Sequence, residues 1–160
     1  MEKLAKTIVK INDLIARRWS ARAFDPNRPV EGWKIVSLCE ASRWAPSCGA
    51  DEPWRVIIWD KFSSAKEYSK AFEVLDEGNK KWAKNAPLLI AVIADTRWRS
   101  NREAINKWAP FDTGASAMAL YLQAFDLGLY AHPMAGFDAT KLRELFQIPD
   151  DYEPFAMVAV

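Results

Sequence analysis

The chain has 160 residues, half of them apolar and 27% charged, and its 22 basic and 21 acidic side chains leave a formal charge of +1. This length and composition predict one globular domain over residues 1–160, and the balanced charge excludes the basic surface that typifies nucleic-acid-binding proteins. No apolar run approaches the roughly 20 residues that span a bilayer, and the charged N-terminal sequence lacks the apolar core typical of a signal peptide, so we expect a cytoplasmic protein without a membrane segment.

The N-terminal part of the chain predicts two helices with an extended loop between them. Apolar residues at helical spacing predict a first helix from about residue 2 to Ala16; they are Leu4, Ile8, Ile11 and Ile15. Prolines favour an extended loop over residues 17–29, because proline fixes its own backbone and restricts the residue before it. A second helix is predicted over residues 31–44, ending before Pro46.

The middle of the chain predicts two strands with helices between them. Bulky and β-branched residues at 54–59 are typical of a strand, and the apolar run at 87–94 predicts a central strand covered on both faces. The Ser-Ala-Lys-Glu sequence at 64–67 predicts a capping box at the start of a helix over residues 64–75. A break at residues 78–79 then separates this helix from a short one.

The last part of the chain predicts two helices and a closing strand. A helix over residues 113–127 is apolar nearly all round, so one side is expected to face the sheet and another a second subunit. Asp138 is predicted to cap a helix ending at Phe146, and residues 152–160 predict an apolar strand. Because that strand has no polar tail, we expect the natural chain to continue beyond Val160. Together the elements predict an α+β fold with a mixed, mostly antiparallel central sheet and helices on both faces.

Side chains that usually perform catalysis are scarce. The sequence holds one histidine, His132, and two cysteines, Cys39 and Cys48. These numbers exclude most histidine-based metal sites and a disulfide scaffold, so we predict no metal site and no catalytic side chain. If the protein is an enzyme, a bound cofactor has to supply the chemistry. Eight tryptophans and eight phenylalanines either fill a rich core or line a flat pocket for a planar ligand.

A cluster of cations lies in the predicted loop that follows the first helix. Arg18, Ser20 and Arg22 alternate along it, so in extended backbone they share a face. Two guanidinium groups and a hydroxyl make a suitable seat for a phosphate. The alternative is a solvated charge cluster at the end of a helix.

Two further loops place small residues where backbone amides can approach a ligand. The loop over residues 44–54 is either a binding loop or an ordinary connection between a helix and a strand. Its Cys48 is not predicted to be a nucleophile, because no histidine lies near it in the sequence. Ala135 and Gly136 precede a predicted helix and offer N–H donors suited to an electron-rich ring atom or an anion.

Taken in order, five segments of the chain resemble the FMN-dependent nitroreductase family. The resemblance covers about residues 15–160 and is closest to the branch with a W-S-x-R-A-F signature, which stands here at residues 19–24. The segments are RRWSARAFDPNRPV, EASRWAPSCGADEPWRVII, EGNKKWAKNAPLLIAV, DTGASAMALYLQAFDLGL and AHPMAGFD.

The resemblance implies that four short elements hold FMN. The family's R-x-S-x-R element grips the phosphate and ribityl chain, and its Pro-Ser loop reaches the isoalloxazine ring from the partner subunit. An asparagine before a W-A element meets the pyrimidine edge, and a P-x-x-G-F segment places backbone N–H groups near N5 and O4. In the same order, the matching residues are Arg18, Trp19, Ser20 and Arg22; Pro46, Ser47 and Cys48; Asn79; and Met134, Ala135 and Gly136.

The resemblance also implies an activity and an assembly. Such proteins are homodimers with FMN at the subunit interface, and they pass electrons from NAD(P)H to nitroaromatic or quinone-type small molecules by a ping-pong mechanism. The alternatives are dehydrogenase or dehalogenase chemistry on the same fold, a non-catalytic flavin-binding module, and an aromatic-rich ligand-binding domain without flavin.

This sequence departs from the family pattern in the Pro-Ser loop and at its end. Ala50 and Glu52 replace the usual asparagine and glutamine of that loop. We expect this to remove a hydrogen bond of roughly 0.5–1.5 kcal/mol and to add a negative charge near the flavin. As written to Val160, the sequence also lacks the family's basic C-terminal arm.

Overall fold

A four-stranded sheet lies at the centre of the computed structural model, which describes residues 3–160. The strands are β1 (Trp54–Asp60), β2 (Leu88–Asp95), β3 (His132–Met134) and β4 (Tyr152–Ala159). They lie side by side in the order β1-β2-β4-β3, and each neighbouring pair is antiparallel. The short strand β3 therefore forms one edge of the sheet.

Six α-helices accompany the sheet within residues 3–160. They are α1 (Asp13–Arg17), α2 (Gly32–Arg43), α3 (Ala65–Glu73), α4 (Glu77–Ala83), α5 (Ala109–Asp126) and α6 (Ala139–Phe146). The prediction of an α+β fold around a mostly antiparallel sheet is confirmed. None of the helices in this described range is long and apolar enough to cross a membrane.

Alternate residues of β2 pack into two separate cores. Leu89 and Ile93 lie in a core with residues of α3, α4 and α6, whereas Leu88 and Ile90 lie in a core with residues of α2 and α5. Successive side chains of a strand point to opposite faces, so a strand covered on both faces is apolar throughout. The helices thus cover both faces of the sheet, as the apolar run of β2 predicts.

The predicted N-terminal helix is wrong over most of its length. Residues 3–12 form no helix, and only Asp13–Arg17 is helical. The predicted start near residue 2 lies outside the described residues. Leu4 and Ile8 are exposed, so the first half of this apolar stripe is not buried against the described chain. A helical spacing without a surface to pack on gives a short helix little stability.

Two predicted features around α3 and α4 are also wrong. Ser64 precedes α3 but forms no capping box, because its Oγ donates to the carbonyl oxygen of Asp60 at 2.9 Å. Gly78 and Asn79 lie inside α4 rather than between helices. The side chain of Asp76 caps α4 by accepting from the backbone N–H of Asn79 at 2.8 Å. The helix therefore begins at Glu77, before the predicted break.

Candidate functional site

A cleft of about 630 Å³ lies beside the edge strand β3. The residues that line it are Lys3, Trp19, Ser20, Arg22, Ala23 and His132. The structure therefore brings together three residues of the predicted phosphate segment, namely Trp19, Ser20 and Arg22. Arg22 and Lys3 give the cleft two cationic side chains, which suits an anionic group.

Arg18 does not line this cleft, but its charge acts on His132, which does. Burial lowers the pKa of His132, and the charges of Arg22 and Arg18 lower it further. Burial also raises the pKa of Tyr121 to about 12, and the charge of Arg18 acts in the opposite direction. Arg18 thus adds positive potential at His132 without lining the cleft.

His132 joins the phosphate segment to β3. Its Nδ1 lies 2.9 Å from the carbonyl oxygen of Ala21, which can only accept a hydrogen bond. The neutral ring therefore donates from Nδ1 and leaves Nε2 as an acceptor. This contact gives His132 a structural role at the wall of the cleft.

Trp82 connects the cleft to α4. Its ring centroid lies 4.3 Å from that of His132 and 5.9 Å from the guanidinium carbon of Arg22. Phe24 stacks on the same indole at 6.3 Å. The sequence-based prediction did not select Trp82, although it lies three residues after Asn79 and hence on the same side of α4.

A tight turn at Gly136 lies beside the start of α4, the helix that carries Trp82 to the cleft. The carbonyl oxygen of Gly136 accepts from the side-chain Nδ2 of Asn79 at 3.0 Å and from the backbone N–H of Asp76 at 3.1 Å. Within residues 3–160, the N–H groups of Ala135 and Gly136 donate to no acceptor. The structure thus places Asn79 beside Gly136 and leaves two backbone donors free.

Met134 contributes differently from the two residues that follow it. Its side chain is buried in the core with α3, α4 and α6, and it pairs with Met157 of β4. Only its backbone is therefore available at the turn. Because β3 is anchored in this way, the sheet helps to fix the position of the Ala135–Gly136 backbone.

These features fit a cofactor that has an anionic phosphate and a planar ring. The cleft supplies cations, and the indole Nε1 of Trp19 is buried without a partner among the described residues. The Gly136 turn supplies free N–H donors, and Asn79 supplies an amide. The donors of this region therefore match the chemical groups of FMN. No group of three potential metal ligands is assembled within residues 3–160.

The Pro46–Cys48 segment lies in a separate pocket. This pocket has a volume of about 290 Å³ and is lined by Pro46, Ser47, Cys48, Trp108, Phe111 and Asp112. The backbone N–H of Cys48 donates to Asp112 Oδ2 at 2.9 Å, and Ser47 Oγ accepts from the backbone N–H of Glu52 at 3.1 Å. The pocket and the basic cleft share no lining residue, so one chain does not bring these predicted residues together.

Ala50 and Glu52 adopt left-handed backbone conformations in this loop, with φ of 51° and 49°. Such conformations cost a non-glycine residue roughly 1–2 kcal/mol and are tolerated best by asparagine and aspartate. Buried Asp51 holds the loop by accepting from the backbone N–H of Arg99 and from Asn106 Nδ2, at 2.9 and 2.8 Å. The carboxylate of Glu52 lies 3.7 Å from Arg99 Nη1 at the surface.

Comparison with known proteins gives consistent matches over most of the chain. Residues 15–160 match the Nitroreductase family. The crystal structure of an oxidoreductase containing FMN superposes with a TM-score of 0.90 and 34% identity, covering 97% of this chain and 78% of that one.

Two sequence relatives extend this comparison. A Streptomyces coelicolor protein named NADH dehydrogenase/NAD(P)H nitroreductase is 27% identical over 154 residues, which cover 82% of this chain and 73% of that protein. A 15.4 kDa protein of Mycolicibacterium smegmatis is 40% identical over 87 residues, which cover 54% of this chain and 56% of that protein. The second alignment thus spans only about half of that relative's length.

We predict that His132 titrates below its ordinary pKa of 6.5, because it is partly buried beside two arginines. A lowered pKa means that the folded protein binds the proton less tightly than the unfolded chain. The free energy of unfolding should therefore fall as the pH drops from 6.5 towards the folded-state pKa.

Proton NMR of this single histidine measures its pKa, and urea unfolding at several pH values measures the slope. His132→Asn keeps an N–H donor towards Ala21 without a titrating ring, so it should remove this part of the pH dependence. A pKa at or above 6.5 would contradict the prediction.

Proposed function

The chain belongs to the nitroreductase family, and from that membership we propose that it is an FMN-dependent oxidoreductase that passes electrons from NAD(P)H to nitroaromatic or quinone-type acceptors. One observation carries the proposal: the basic cleft and the Gly136 turn are joined through α4, which bears both Trp82 and Asn79. A cofactor with a phosphate and a planar ring needs both features within reach. In this proposal residues 1–160 form one flavin-binding domain of a cytoplasmic enzyme.

The residues at the two ends of the region would hold different parts of FMN. Arg22 and Ser20 would bind the phosphate and ribityl chain, where charge-assisted hydrogen bonds are the strongest available. The N–H groups of Ala135 and Gly136 would donate to ring atoms. Asn79 uses one N–H for the carbonyl of Gly136, so its Oδ1 and second N–H remain for the pyrimidine edge.

The chemistry that FMN supplies when bound is reversible two-electron transfer. The contribution of the chain is to bind the cofactor, orient its ring and leave one face open to small molecules. The overall reaction balances when NAD(P)H and one proton from water convert a quinone to its dihydroxy form and release NAD(P)⁺. We propose a ping-pong order because one open face serves both substrates in turn.

We further propose that a second copy of the chain completes the site. Trp33 and Trp44 of the α2 region expose 61% and 75% of their surface, and Phe111 of α5 exposes 74%. Exposed apolar side chains that lie close together mark association surfaces, and α2 and α5 pack against each other. Phe111 also lines the pocket of the Pro46–Cys48 segment, so this segment lies at the same surface. A homodimer through this surface would carry the segment to the FMN of the other subunit.

Steady-state kinetics of the FMN-loaded protein test the proposed reaction. With NADPH or NADH and a quinone or nitroaromatic as varied substrates, we expect double-reciprocal plots with parallel lines, because the first product leaves before the acceptor binds. Intersecting lines would contradict the ping-pong order. Absence of turnover with every acceptor, in protein that retains FMN, would favour the non-catalytic alternative.

Removal of Arg22 tests the phosphate assignment. We expect Arg22→Ala to weaken FMN binding at least about tenfold, because a hydrogen bond to a charged group contributes about 1.5–3 kcal/mol. Arg28→Ala is the matched control, since it removes the same charge from the same loop outside the cleft. Quenching of FMN fluorescence measures both affinities. Equal affinities of the two variants would contradict the assignment.

A further inference from the structure

The orientation of the Gly136 turn depends on how its two peptide groups are held. The backbone N–H of Phe137 donates to the carbonyl oxygen of Ala135 at 3.2 Å, which turns that carbonyl towards the following residue. In a planar trans peptide the C=O and N–H point in opposite directions, so the N–H of Gly136 points away from Phe137. This is one of the two donors that have no acceptor among the described residues.

Asp76 makes two hydrogen bonds that help to hold this turn, and the side chain of Asn79 makes a third. Its backbone N–H donates to the carbonyl oxygen of Gly136 at 3.1 Å. Its Oδ1 accepts from the backbone N–H of Asn79 at 2.8 Å, and the side chain of Asn79 in turn bonds the same Gly136 carbonyl at 3.0 Å. The Asp76 side chain therefore positions Asn79 as well as capping α4.

The other carboxylate oxygen of Asp76 lies against the backbone of Gly136. A β-carbon added to residue 136 would collide with Asp76 Oδ2, so the carboxylate occupies the space that a side chain would need. Among residues 3–160 no N–H donates to this oxygen and no lysine or arginine forms an ion pair with Asp76. A carboxylate without a counter-ion thus lies next to the turn.

We propose that Asp76 is a positioning residue that sets the redox potential of the bound cofactor. The inference rests on the proposed function, in which the Ala135 and Gly136 amides and Asn79 contact the FMN ring. The carboxylate holds that contact surface in place. Its negative charge beside the turn also opposes the gain of electrons by the ring, and therefore lowers the midpoint potential of the FMN.

Two substitutions separate the charge of Asp76 from its hydrogen bond. Asp76→Asn removes the charge but keeps an oxygen able to cap α4, because asparagine is as good a capping residue as aspartate. Asp76→Ala removes both. Asp60→Asn is the matched control, because Asp60, like Asp76, accepts from a nearby backbone N–H at 2.8 Å, in this case that of Phe62, and it lies on β1 at the far edge of the sheet.

The midpoint potential of the bound FMN, measured by equilibration with a redox dye, is the decisive quantity. We expect Asp76→Asn to shift it to a more positive value with FMN affinity almost unchanged. Asp76→Ala should shift it in the same direction and also weaken FMN binding about fivefold, because Asn79 loses the cap that holds it beside the Gly136 carbonyl. Asp60→Asn should change neither quantity.

The outcomes distinguish this inference from the proposed function. If the wild-type chain binds FMN and the potential of Asp76→Asn equals that of wild type, the inference is overturned and the proposed function stands. If Asp60→Asn shifts the potential as much as Asp76→Asn does, the effect is one of overall charge and the inference is again overturned. If the wild-type chain binds no FMN, the inference and the proposed function are both overturned.

Discussion

The carbonyl oxygen of Gly136 is the contact on which the candidate site depends. This oxygen accepts from Asp76 and Asn79, which lie at the start of α4 and are distant from Gly136 in the sequence. Through this contact α4 is tied to the segment after β3, and Trp82 on the same helix reaches His132 and Arg22. The basic cleft and the turn with free N–H donors therefore share one support. The same packing explains why residue 136 has no side chain.

Much of the fold could be predicted because many of its helices and strands are determined by residues that lie close together in the sequence. The apolar run of β2 reflects a strand covered on both faces, and the capping residue Asp138 marks the start of α6. The prediction of a long N-terminal helix was wrong because an apolar stripe needs a surface to pack on, and the spacing of residues does not show whether that surface exists. The break at Gly78 was wrong because the Asp76 cap offsets the cost of glycine inside a helix.

The candidate site was less predictable because its contacts are long-range. Alternation along the loop placed Arg18 with Ser20 and Arg22, yet the structure lines the cleft with only the latter two. Asn79 came from the family resemblance alone, and no local pattern indicates its bond to Gly136 across 57 residues. The Pro46–Cys48 segment lies in another pocket, which agrees with a role in a neighbouring subunit that one chain cannot display.

Sedimentation of the purified chain, followed by protein absorbance and by the visible absorbance of flavin together, tests most directly whether FMN binds where two copies meet. We predict that flavin and protein move as one species of twice the chain mass, with one FMN for each chain. A colourless protein that takes up no added FMN, or a monomer that retains the cofactor, would contradict this arrangement.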